Sequence, residues 1–223
     1  MIPVCRIVTR SNRVLRVTPV PGAGRIPLRL WKVAQTVGWT LDKVHSNVGF
    51  SVRHMMVSNV RGEFSSVTGK ATIDDADLSK SQISAEIDVA TINTREPKRD
   101  EHLKSPDFFD AAKFPKLTFK STKIEKAGAQ FKVTGDLTMH GVTKTVVLTA
   151  DVPAQTVRDP YGNIKRGMSA QTKLSRKEFG LTWNKVLETG GAVVGDEIQV
   201  TIDLELAQLR PGQAKPEAGA AKK

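Results

Sequence analysis

The amino-acid sequence predicts an all-β fold, an antiparallel barrel or sandwich of eight strands. Three observations predict it. Eight stretches between residues 39 and 207 alternate apolar and polar side chains, the period of a strand with one buried face. Short turn signals separate most of them. Two stretches that do not alternate, around Phe108 and Phe179, gather more apolar side chains than a filled barrel needs as plugs, and suit lids over a cavity.

The first strand is read in residues 39–54, with Val48, Phe50, Val52 and His54 on one face and a bend within residues 44–47. The second runs over residues 61–74, where Gly62 and Gly69 mark bulges or bends. The third places Ile83, Ala85, Ile87 and Val89 together. After it comes R-D-E-H-L-K-S-P-D-F-F-D, in which a charged cluster (Arg99, Asp100, Glu101, His102) leads into Leu103, Phe108 and Phe109 at roughly helical spacing. That pattern predicts a short helix with one apolar face, lying over the mouth or open end of a barrel. The fourth strand begins past Pro115, with Leu117 and Phe119 in phase and Ile124 out of phase, the slip of one bulge.

The fifth strand carries Phe131, Val133, Leu137 and Met139 on one face and turns at His140 and Gly141. The sixth aligns Val146, Leu148, Ala150 and Val152, and D-P-Y-G-N at residues 159–163 is a strong turn signal. The seventh ends at Leu174, followed by a second excursion with Phe179, Leu181 and Trp183. The eighth alternates strictly through Ile198, Val200, Ile202, Leu204 and Leu206. There is no internal repeat.

A net charge of +11 suggests a polyanion partner until it is divided by region. Residues 1–38 hold seven basic side chains and no acid, and residues 210–223 hold four against one, leaving residues 39–209 at +1. The expected organisation is a basic, disordered N-terminal extension (1–38), a folded barrel (39–209) and a disordered tail (210–223). The basicity belongs to the arms, so nucleic acid is not the expected partner; loss of binding on deleting residues 1–38 would argue otherwise. The N-terminus lacks the apolar segment of a signal peptide, which favours a cytoplasmic over a periplasmic location.

Cys5 is the single cysteine, which rules out an internal disulfide and a cysteine-based metal site. No histidine stands at metal-ligand spacing, except that His102 adjoins Asp100 and Glu101, and no metal site is expected. No G-x-S-x-G or comparable nucleophile signal occurs, so no catalytic residues are assigned. His54 follows Val52 on the apolar face and is either a satisfied core histidine or a contact to a ligand head group. Arg99, Asp100 and His102 either bind a head group, Arg99 being suited to phosphate, or form a capping network at the helix start. An enzymatic alternative, a barrel hydrolase or isomerase, would use the Asp100–His102 pair with His54.

The chain resembles the YceI-like family of lipid-binding proteins, also called polyisoprenoid-binding. The resemblance rests on D-x-x-H-S (Asp42, His45, Ser46), F-S-V-R-H from Phe50, G-x-F (Gly62, Phe64), I-N-T-R from Ile92 and R-D-x-H-L-x-S-x-D-F-F-D from Arg99. It continues in F-P-x-L-x-F from Phe114, G-D-L-T-M-H-G-V-T-K from Gly135 and R-x-x-F-G-L from Arg176. It implies an eight-stranded, lipocalin-like antiparallel barrel with two short helical excursions, holding a long isoprenoid such as a polyprenyl phosphate or quinone, or a similar fatty amphiphile. No cofactor beyond that lipid is expected; transient membrane contact and a homodimer are compatible with it. Each buried CH₂ contributes roughly 0.8 kcal/mol, so such a barrel needs only a lined tunnel and a few polar groups at one end. By parity the lining falls to Phe50, Val52, Phe64, Ile87, Phe119, Phe131, Val133, Leu137, Met139 and Leu174, with Phe108, Phe109, Phe179 and Trp183 as lids. The bland alternative is that these residues pack a solid core.

Overall fold

The computed structural model describes residues 37–186 and 192–209; most of the N-terminal arm, the whole tail and part of the second excursion lie outside the described residues. The strands are β1 (Val37–Leu41), β2 (Asn47–His54), β3 (Ser58–Phe64), β4 (Val67–Ile73), β5 (Gln82–Asp88), β6 (Ile92–Asn93), β7 (Lys116–Ala127), β8 (Gln130–Met139), β9 (Val142–Asp151), β10 (Val157–Arg158), β11 (Ile164–Ser175) and β12 (Val194–Gln208). The single α-helix among them, α1 (Pro97–Lys104), lies between β6 and β7. The order β12-β1-β4-β5-β7-β8-β9-β11, with β11 pairing back onto β12, closes an eight-stranded antiparallel barrel. The barrel predicted from the alternation is therefore the fold observed.

The first two strands depart from their expected continuity. β1 and β2 both pair with β12, but Asn47 lies six positions after Leu41 while their partners Leu206 and Asp203 are three positions apart. The surplus loops outward, pinned by the Asp42 N–H donating to the Glu205 carbonyl (2.8 Å). β3 pairs with β2 and β4 with β1, so the second strand also changes course, at Ser65 and Ser66, where the Ser66 N–H turns aside to Thr91 Oγ1 (3.1 Å). β2, β3 and the two-residue β6 thus extend one end of the wall past the closed ring. Gly62 and Gly69 mark no bulge, since the ladder runs unshifted through both. They make room: a Cβ on Gly62 would lie 2.5 Å from Phe50 Cζ, and one on Gly69 2.5 Å from the Ser84 carbonyl oxygen.

The bulge inferred from Ile124 is present, between Ser121 and Lys123. α1 is shorter than the apolar spacing suggested. Pro97 opens it, the Glu96 carboxylate caps it by accepting the Lys98 and Arg99 N–H groups, and Ser105, restricted by Pro106, ends it. Phe108 and Phe109 are not on its face; they sit in the hydrogen-bonded turns that follow. Those turns, not the helix, carry the apolar cargo: Phe108 is buried, whereas α1 has no buried residue.

Where β1, β4 and β12 meet, the core buries Trp39, Leu41, Ala71, Ile73 and Leu206. The Arg166 guanidinium lies 5.5 Å from the Trp39 ring centroid and pairs with Asp75 (2.6 Å), closing this end with a cation–π contact and an ion pair.

Candidate functional site: the barrel interior

Cross-strand register decides which side chains share the interior. Phe50, Val52 and His54 of β2 stand opposite Val200, Ile198 and Val194 of β12. Val200 and Ile198 in turn stand opposite Thr172 and Leu174 of β11. Across the barrel, Ile87 faces Leu117, Phe119 faces Leu137, and Val133 and Phe131 face Leu148 and Ala150. Register thus puts these residues in phase with one another on their paired strands.

Burial divides them. Phe64, Val133 and Met139, with the lid residues Phe108 and Phe179, are buried in the core. Phe50, Val52, Ile87, Phe119, Phe131, Leu137 and Leu174, with Phe109 and Trp183, remain half-buried. Most of these side chains pack against the buried core while keeping part of their surface accessible. Close approach shapes the wall as well, because Gly135 leaves the space that the Phe119 ring fills, 2.5 Å from where a Cβ would stand. A small apolar pocket of about 30 Å³ opens among Ile83, Ile124, Phe131, Val133 and Met168.

An aromatic chain joins the lids. Phe64 contacts Phe50 and Phe109 at centroid distances of 5.7 and 6.0 Å, and Phe108 meets Trp183 at 5.1 Å. The His102 ring packs edge-on against both Phe108 (5.0 Å) and Trp183 (4.8 Å). The second excursion is held by Arg176, a residue sequence reasoning assigned no role. Its guanidinium is buried and donates to the carbonyls of Gly195 (2.9 Å), Leu181 (2.6 Å) and Trp183 (2.8 Å). Burial pushes its pKa down, with the charge of Asp196 acting in the opposite sense. The available signal was an arginine three residues before the apolar Phe179 in R-K-E-F-G-L. Asn184 adds a second tie, donating to the Val194 carbonyl (2.7 Å) and accepting its N–H (3.1 Å).

The polar candidates have different partners. Arg99 donates from Nε to Thr94 Oγ1 and from a terminal nitrogen to the Thr94 carbonyl, both at 2.7 Å. Asp100 accepts from the Thr94 N–H (2.9 Å) and hydroxyl. Both side chains thus brace the turn before α1. His102 Nε2 lies 3.0 Å from Asp107, so the Asp100–His102 pair offered as an acid–base unit is split between other partners. The His54 ring makes no hydrogen bond or ion pair among the described residues.

Outside the barrel, Lys165 donates to Asp42 and to Glu205 (2.8 Å), with His45 Nδ1 3.2 Å from Asp42. The hydrogen bond from Lys165 holds the Asp42 carboxyl well below the usual carboxylate range, and bonding to Asp42 and Glu205 pushes Lys165 up to about 12. The carboxylates and His45 could surround a metal ion, but the cation among them is the Lys165 ammonium.

The family model of the YceI-like domain matches residues 39–206. A protein YceI of Salmonella newport is 34% identical over 166 residues, covering 74% of this chain and 83% of its own. The crystal structure of a Campylobacter jejuni YCEI protein superposes with a TM-score of 0.60 at 33% identity, over 76% of this chain and 97% of that one. A polyisoprenoid binding domain from Saccharophagus degradans superposes with a TM-score of 0.55 at 15% identity, over 78% and 99% of the two chains; at that identity the likeness is one of fold.

Proposed function

Because the chain belongs to the YceI-like family, we propose that it is a non-enzymatic carrier that takes a long isoprenoid, or an amphiphile of similar shape, into its barrel. The observation that carries the reading is the half-buried inner face formed by Phe50, Val52, Phe119, Leu137 and Leu174. Apolar surface left open to water inside a closed barrel is stabilised by an apolar occupant, at roughly 25 cal/mol per Å² covered. The named lining is apolar apart from Thr172 and His54. A chain of isoprene units needs contact along its length, and rows of Val, Ile, Leu and Phe provide it.

His54 is the head-group contact in this reading. It stands on the inner face beyond Val52, and its ring has no partner among the described residues. A neutral imidazole donates to a quinone carbonyl or a phosphate oxygen, and an imidazolium pairs with a phosphate. Arg99 and Asp100 serve the site indirectly, by fixing the turn from which α1 and the lid begin.

The test is organic extraction of the purified protein with mass spectrometry of the extract, beside a native mass spectrum of the intact chain. A stoichiometric apolar ligand is expected, lost in Val200→Glu, which puts a charge on the inner face opposite Phe50. Protein expressed in cells that make isoprenoids, yet running at its bare mass, would overturn the reading.

A further inference from the structure

The turn between β2 and β3 runs against two local preferences at once. Met55, Met56 and Val57 connect the paired residues His54 and Ser58, and the Val57 N–H donates to the His54 carbonyl (3.1 Å). Met55 and Met56 have φ of +49° and +62°, the left-handed pair that a type I′ turn requires and that Asn-Gly adopts with least strain. Two methionines stand there instead. They and Val57 also lie out in water, with 43%, 65% and 77% of their surfaces exposed. Strained backbone and exposed apolar side chains both work against the isolated fold, and such departures concentrate at functional sites.

A second apolar projection stands beside this tip. Val186 is 86% exposed and bridges to Ala192, and the adjacent Val193 carbonyl accepts the Met55 N–H (2.8 Å). Both projections belong to the end of the barrel where Val52 and His54 line the interior. The charge around them is predominantly positive. Arg53 and Arg61 fall between Ser51 and Gly62 with no acid among them, and Lys185 precedes Val186, with Glu188 the next acid in the sequence. The acids opening β12 have other partners: Asp196 accepts from the Ser175 hydroxyl (3.0 Å), and Glu197 pairs with Lys173 (2.9 Å). Arg53 donates to the Met56 carbonyl (2.9 Å), holding the tip in place.

We propose that this rim is a membrane-contacting edge. Met55, Met56, Val57 and Val186 enter the headgroup–acyl boundary of a bilayer containing anionic phospholipid, while Arg61 and Lys185 meet its phosphates. The inference rests on the carrier reading, because the apolar tip is placed at the end through which the interior would be loaded. A bilayer fits this surface better than a protein does. Protein interfaces are built around aromatic and arginine anchors in pockets and bury about 800 Å² per partner, whereas this rim offers four protruding aliphatic side chains. Shallow insertion of a few aliphatic groups, supported by basic neighbours, is the chemistry of a peripheral membrane contact.

The experiment is co-sedimentation of the full chain with phosphatidylcholine vesicles, with and without phosphatidylglycerol, for wild type and for the double variant Met55→Asn with Met56→Gly. That pair suits the turn better than the native residues, so folding is retained and the melting temperature should hold or rise. The N-terminal arm alone would draw the chain toward anionic vesicles, so the readout is the difference between the two proteins at matched salt. The double variant is expected to bind phosphatidylglycerol-containing vesicles about ten-fold more weakly while its copurified lipid is unchanged. Equal binding by both proteins would overturn the proposal. So would wild type that forms dimers lost in the variant without binding vesicles, which would assign the rim to a second copy. Lipid-free protein that still docks through the tip would sink the carrier reading and leave the edge standing; lipid-loaded protein that ignores vesicles would sink the edge alone.

Discussion

At one end of the barrel Trp39, Ile73 and Leu206 are buried and locked by Arg166; at the other, Phe50, Val52, Val200 and Leu174 keep part of their surface open. The same strands supply both ends. β12 runs from half-buried Ile198 and Val200 to buried Leu206 without a change in its alternation. What differs is the partner across the register. Leu206 meets Leu41 and Arg166, whereas Val200 meets Phe50 and Thr172. Thr172 brings a short polar side chain to that stretch, and apolar alternation along β12 does not report it. One hydrophobic pattern can therefore run through buried and partly open stretches of the same barrel.

The sharpest test of that contrast is truncation at each end. Trp39→Ala should cost about 3–5 kcal/mol, as for large aromatic side chains removed from packed cores, whereas Val200→Ala should cost about 1 kcal/mol or less because the site is already open. Denaturant titration in lipid-free protein measures both. Equal losses would mean that the two ends are packed alike.

Arg176→Met probes the anchor of the second lid. It strips the donors from the carbonyls of Gly195, Leu181 and Trp183, and should destabilise by about 2–4 kcal/mol. Hydrogen exchange should speed first in the stretch ending at Asn184. Uniform acceleration across the barrel would show that Arg176 supports the whole fold and not the lid.

The reverse substitution separates the ends again. Ala71→Leu adds volume beside buried Trp39 and should cost about 1–3 kcal/mol; Val200→Leu should cost under about 1 kcal/mol. The second change should also lower the amount of copurified lipid by narrowing the interior.

The sequence made the barrel legible because period-two alternation is a direct imprint of one buried face. It even exposed the bulge before Ile124, since a one-residue slip moves every following side chain to the other face. It placed a bend in the first strand, within residues 44–47, but did not show that the first two strands break. Those breaks are fixed by long-range bonds, Asp42 to Glu205 and Ser66 to Thr91, which leave no local signature. The helix was overextended for a related reason: Phe108 and Phe109 are apolar at helical spacing, but Ser105 before Pro106 stops the helix first. Of the polar candidates, Arg99 and Asp100 converge on Thr94, a residue their types did not single out. Arg176 and the Met55–Met56 turn went unread because each runs against the usual preference for its position, and only the fold shows where each sits.

The smallest expected effect concerns the seam around β12, where Lys165 of β11 joins Asp42, just past β1, and Glu205 of β12. Asp42 is held below its ordinary range, so its contribution is complete above the unfolded carboxylate pKa, about 4, and is lost as pH falls through that value and below. Lys165 is raised from 10.5 to about 12, so its contribution is complete below 10.5 and is lost as pH climbs toward 12. Stability should therefore be flat across the neutral range and fall at both extremes, by on the order of 1 kcal/mol from this cluster. Lys165→Met should remove the alkaline fall. It leaves Asp42 and Glu205 without the ammonium between them. With the main cause of the lowered Asp42 carboxyl removed, the variant's acid fall should shrink as well. Denaturation midpoints measured across pH for both proteins decide it, and parallel curves would show that this seam, unlike either end of the barrel, contributes nothing measurable.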